Sequence, residues 1–72
     1  MVTYEQAKAK ALKANSNINK AYEMKNAYLF AVSGGKVEDD NEVVILKSNG
    51  NSVTYSDYII TYKDSNKKSI KF

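Results

Sequence analysis

The chain has 72 residues and a formal net charge of +3, carried by eleven lysines against eight acidic residues. It contains no His, Cys, Trp, Pro or Arg, which excludes an imidazole base, a reactive thiol, a Cys/His zinc site, a disulfide and a guanidinium clamp for phosphate. A domain of this size buries only about 60% of the surface of its unfolded chain, so packing or self-association must supply its stability.

Hydrophobic residues at 43% and charged residues at 26% place the chain among globular domains and not among disordered ones. The longest apolar runs, 27–32 and 43–46, are far shorter than the roughly 20 residues of a membrane span. The first residues lack the apolar core of a signal peptide, and the expected setting is soluble and cytoplasmic. A charge of +3 is too small and too evenly spread to announce nucleic-acid binding.

Thr3-Tyr4-Glu5-Gln6 has the form of a capping box, and Glu5 suits the positive end of a helix. Ala, Lys, Leu and Gln then predict a helix over 4–14. Tyr4, Ala7, Ala11 and Ala14 share one face, and its small side chains allow close approach to a sheet. Lys8, Lys10 and Lys13 lie mostly off that face. Asn15-Ser16-Asn17 predicts the stop.

The segment 18–24 fits either an edge strand or a continued helix, and three consecutive Asn/Ser residues favour the strand. Lys25-Asn26 then turns into a strand over 27–32, with Tyr28, Phe30 and Val32 on one face and Ala27, Leu29 and Ala31 on the other. Residues 33–41 form a loop with Gly34-Gly35 at one end and Glu38, Asp39, Asp40 at the other. A β-branched strand follows over 42–47, then a hairpin turn at Ser48-Asn49-Gly50-Asn51 and a returning strand over 52–55. Tyr55, Tyr58, Ile59 and Tyr62 are spaced for a helix, whereas Tyr58, Ile60 and Tyr62 are spaced for a strand. The reading leans to a short helix over 57–63 with Ser56 as N-cap, and to an extended tail over 68–72.

The expected fold is therefore α+β: a single domain with an N-terminal helix packed on a three- to four-stranded antiparallel meander, ending in a short helix or strand. Both faces of the strands at 28–32 and 43–46 are apolar, and one helix covers only one of them. The second face requires the C-terminal segment, a homodimer partner or a target.

The Thr3-Tyr4-Glu5-Gln6-Ala7 helix start, the Ala27-Tyr28-Leu29-Phe30 strand, the hairpin from Val43 to Gly50, and the stretches Asp57-Tyr58-Ile59 and Ile70-Lys71-Phe72 resemble small uncharacterised phage and prophage proteins. They are also similar to small α+β immunity-type domains with a valine-rich strand, Lys-x-x-Gly and a second strand. The resemblance implies an accessory or inhibitory protein in microbial conflict and carries over no catalytic residue.

Glu38, Asp39, Asp40 and Glu42 lack the alternating spacing and the glycine of a calcium loop, and read as a solvated loop. Gly34-Gly35 lacks the rest of a phosphate loop and reads as a connector. Ser, Lys, Tyr, Asp and Glu remain for chemistry, but no spacing assembles a dyad, so no enzyme and no cofactor are expected. Tyr22, Tyr28, Tyr55, Tyr58 and Tyr62 are candidate partner-binding residues, because tyrosine supplies area, rigidity and a hydroxyl at interfaces. Lys63, Lys67, Lys68 and Lys71 are candidate contacts to a nucleic-acid backbone. The expected function is a non-enzymatic protein-binding module, a phage or prophage accessory protein or inhibitor acting through an exposed sheet face and these tyrosines. The alternatives are a lysine-based nucleic-acid binder and a structural homo-oligomer.

Overall fold

A computed structural model describes residues 1–32, 42–64 and 66–72. In chain order they form α1 (Tyr4–Ala14), β1 (Lys20–Glu23), β2 (Ala27–Ala31), β3 (Glu42–Leu46), β4 (Ser52–Val53), α2 (Tyr55–Tyr62) and β5 (Lys68–Ile70). Gly34-Gly35 and the acidic residues Glu38, Asp39 and Asp40 lie outside the described residues.

The capping box forms as the sequence predicts: the Gln6 N–H donates to Thr3 Oγ1 at 3.2 Å, and the Thr3 N–H donates to Gln6 Oε1 at 3.0 Å. At the other end Asn15 leaves helical geometry, and its Oδ1 accepts the Asn17 N–H at 3.0 Å. The asparagines thus offer the backbone a turn in place of another helical bond. Ala7 and Ala11 are fully buried against a cluster that includes Phe30, Val43 and Ile45. Lys10, though off this face, is a strut: its Nζ donates to the Gly50 carbonyl at 2.6 Å. Gly50 itself has φ +75, which favours glycine in the turn after β3, and a Cβ there would also crowd Val2 Cγ1 at 3.0 Å.

The sheet order is β4-β3-β2-β1-β5, and every neighbouring pair is antiparallel. β1 to β4 form the expected meander, and β5 adds a fifth strand on the outer side of β1. Strand alternation sorts the side chains onto two faces. Phe30, Val43, Ile45, Ala21 and the half-buried Ile70 meet α1. Ala27, Leu29, Val44 and Leu46 face the other way and meet Tyr58 of α2.

This second layer resolves the surplus of apolar surface. To pass from β4 at one edge to β5 at the other, the chain crosses the free face and lays α2 on it. The expectation of an exposed sheet face is revised accordingly: all five residues of β3 are buried, and Leu29 is fully buried on the α2 side. Of the three ways to cover the second face, the C-terminal segment is the one found, and that apolar area is covered within the chain. The C-terminal region contains both a helix and a strand. The helix begins at Tyr55, and its N-cap is Thr54, not Ser56: Thr54 Oγ1 accepts the Asp57 N–H at 3.1 Å. It ends at Tyr62 and is capped by Lys63, the one non-glycine residue with positive φ (51°) among the described residues. Glu42 opens β3 as the strand reading over 42–47 has it, but its side chain, grouped with the solvated acidic residues, is only 7% exposed.

Candidate interaction surface

The five candidate tyrosines do not share one face. Tyr28 packs on the α1 side, edge-on to Tyr4 at 5.5 Å between ring centroids, with Lys47 Nζ 4.9 Å above its ring. Tyr22, Tyr55 and Tyr58 belong to the α2 side, and Tyr62 stacks on Tyr58 at 4.9 Å.

Tyr58 is fully buried and offers no area to a partner in this fold. Its hydroxyl makes a latch. The O–H donates to Asp64 Oδ2 at 2.8 Å, and the hydroxyl oxygen accepts the Asn26 N–H at 3.2 Å. Asp64 also accepts the Lys25 N–H at 3.1 Å and, through Oδ1, the Asn66 N–H at 3.2 Å. One carboxylate therefore joins the end of α2, the approach to β5 and the β1–β2 turn. Burial, then the hydrogen bond to Asp64, push the Tyr58 hydroxyl up to about 12. The same hydrogen bond, followed by the two backbone donors, lowers the Asp64 carboxyl.

The linkage has a definite sign. A tyrosine whose pKa is raised by folding adds stability below its unfolded value, near 10, and loses that contribution as pH rises through the folded value. Urea midpoints followed from pH 9 to 12 are expected to fall more steeply for the wild type than for Tyr58→Phe, which has no hydroxyl to ionise. Parallel curves for the two proteins would refute the latch. At the acid end the Asp64 contribution, present above the ordinary carboxylate range, is lost as pH falls through its lowered folded pKa.

The β1–β5 flank is where exposed lysines gather beside half-buried aromatic side chains. Lys67 Nζ lies 5.1 Å from the Tyr22 ring and 5.7 Å from the Tyr55 ring, so the ammonium sits against two half-buried aromatic side chains. Lys68 pairs across the ladder with Glu23, whose carboxylate is held at 2.9 Å by Lys47; that bond and charge lower its pKa. Lys71 follows β5, and its carbonyl accepts the Tyr4 hydroxyl at 3.1 Å. Lys20 opens β1 and is exposed. Of the four candidate lysines, Lys67, Lys68 and Lys71 therefore line one sheet edge, whereas Lys63 caps α2 in left-handed geometry. Lys20 was not anticipated; only the β1–β5 pairing relates it to the lysines of the C-terminal strand.

Clefts also lie elsewhere among the described residues. One of about 380 Å³ runs between Ala14, Glu42, Val53 and Asp57, but the Thr54 hydroxyl on its wall is committed to the helix cap. Another, about 190 Å³, lies between Met1, Lys25, Lys47 and Tyr62. Among the described residues no group of three or more carboxylates is placed to hold a metal ion, and no helix is long and apolar enough to cross a membrane. The fold and flank define a small α+β domain with a helix on each face of an antiparallel sheet and a basic, aromatic edge. No protein family, curated protein or solved structure matches the chain.

Proposed function

We propose that this chain is a non-enzymatic protein-binding module, of the phage accessory or inhibitor kind, and that it binds through the β1–β5 flank. The observation that carries the reading is the convergence of Lys67, Lys68 and Lys71 with Tyr22 and Tyr55 at an edge strand, on a domain whose sheet faces are both occupied. Tyr22 and Tyr55 take the place of the five-tyrosine face. Tyr28 lies on the α1 side of the sheet, Tyr58 is core, and Tyr62 borders the cleft beside Met1.

The nucleic-acid reading draws on the same lysines. It is less well supported, because stacking on bases needs open ring faces, and Lys67 lies against Tyr22 and Tyr55. A structural homo-oligomer has less support still, since the apolar sheet face that would drive it lies beneath α2.

The test is affinity capture from lysate with and without nuclease treatment, read by mass spectrometry. It compares the tagged wild type with a Lys67→Glu, Lys68→Glu, Lys71→Glu triple variant. All three positions are exposed, so the fold should persist, and circular dichroism checks it. Reversing three rim charges is expected to cut capture of one dominant protein at least about tenfold. Equal capture by both proteins would remove the flank. Wild-type capture that vanishes on nuclease treatment would move the function to nucleic acid, and recovery of the chain alone would move it to self-assembly.

A further inference from the structure

Building on that reading, we propose that the partner presents an extended acidic segment which pairs with β5 as a sixth strand. β5 ends the sheet, so its outer side has no neighbouring strand among the described residues. Such an edge can accept a strand through main-chain hydrogen bonds, and the flanking side chains then set the choice of partner.

The side chains here divide by face. The register Tyr22↔Ser69 and Ala21↔Ile70 places Ser69 on the α2 side and Ile70 on the α1 side. Lys67 lies over Tyr22, on the α2 side, and alternation carried one residue past β5 places Lys71 there too. On the α1 side Ile70 and Phe72 are half-buried, with Phe72 edge-on to Phe30 at 6.4 Å. An incoming strand therefore meets Lys67 and Lys71 on one face, and the partly open Ile70 and Phe72 beside Lys68 on the other. A segment alternating acidic and apolar residues is complementary to both. Lys68, within β5 itself, is an exposed edge-strand lysine, a charge that discourages edge-to-edge self-association and favours an acidic partner.

The probe is an end-capped octapeptide of alternating glutamate and valine, titrated into the isotopically labelled full chain and followed by amide NMR. Saturable shifts and slowed hydrogen exchange at residues 68–70 are expected at about 1 mM peptide. The lysine–valine counterpart should bind at least about tenfold more weakly, and so should the acidic peptide N-methylated at every residue, which has lost its donors. The proposal is overturned by no binding of the acidic peptide, by equal binding of the basic or methylated peptides, by shifts confined to other surfaces, or by tighter binding of single-stranded oligothymidine. If the peptide fails while the triple lysine variant still loses its captured protein, the flank stands and strand pairing falls. If capture is also unchanged, both fall.

Discussion

Tyr58→Ala is expected to leave the chain without a cooperative unfolding transition, already largely unfolded in buffer at 25 °C. The side chain is fully buried under α2, and its removal costs about 3–5 kcal/mol by analogy with other large aromatic truncations. A domain of this length has only about 4–11 kcal/mol in total. The loss is compounded because Tyr62 loses its stacking partner and Asp64 loses its hydroxyl donor. Tyr58→Phe separates the two contributions. It retains the ring and forfeits the hydrogen bonds, for about 1–2 kcal/mol, and should still unfold cooperatively at a lower urea midpoint. A Tyr58→Ala midpoint close to the wild type would mean that α2 does not hold the second face of the sheet.

That second face is also where sequence reasoning ran out. α1 was legible from end to end because its signals are local: a capping box at Thr3, an alanine face, and asparagines at the stop. The two-sided apolar pattern of β2 and β3 stated correctly that both faces needed cover. It left open whether the C-terminal segment, a second copy or a target supplied the cover, because that depends on where the chain travels after β4. The choice between helix and strand at 55–62 was settled by packing. In the helix Tyr55, Tyr58 and Ile59 meet the sheet together, and Ile60, which the strand pattern grouped with Tyr58 and Tyr62, is 74% exposed. Thr54-Tyr55-Ser56-Asp57 carries two hydroxyls able to cap, and Thr54 is the one used. Asp64 carries no local signal of its part in the latch, which depends on Lys25 and Asn26, far away in sequence. The basic flank was half legible. The C-terminal lysines were visible as a group, but the pairing of β5 with β1, which brings them to Tyr22, leaves no local signal.

Phe30→Ala should be nearly as damaging as Tyr58→Ala, and it should damage the other layer. Phe30 is fully buried in β2, between Ala21 and Val43 in the ladders. Its ring stacks on Tyr4 at 5.9 Å and meets Phe72 edge-on at 6.4 Å. Losing it costs about 3–5 kcal/mol, within reach of the whole stability of the domain. Its neighbours cannot close the gap cheaply: Ala7, Ala11 and Ala21 end at a methyl group, so the cavity persists unless α1 moves as a body. The expected order of failure is informative. Phe72 and Ile70 attach β5 to the α1-side core, so weakening that anchor should release the edge strand first. Hydrogen exchange on the milder Phe30→Leu variant, which should remain folded, is expected to quicken at residues 68–70 more than in β3. Uniform quickening across the sheet would show instead that β5 is held by its ladder to β1 and not by the aromatic contact. In that case substitutions at Phe30 would cost stability without opening the flank.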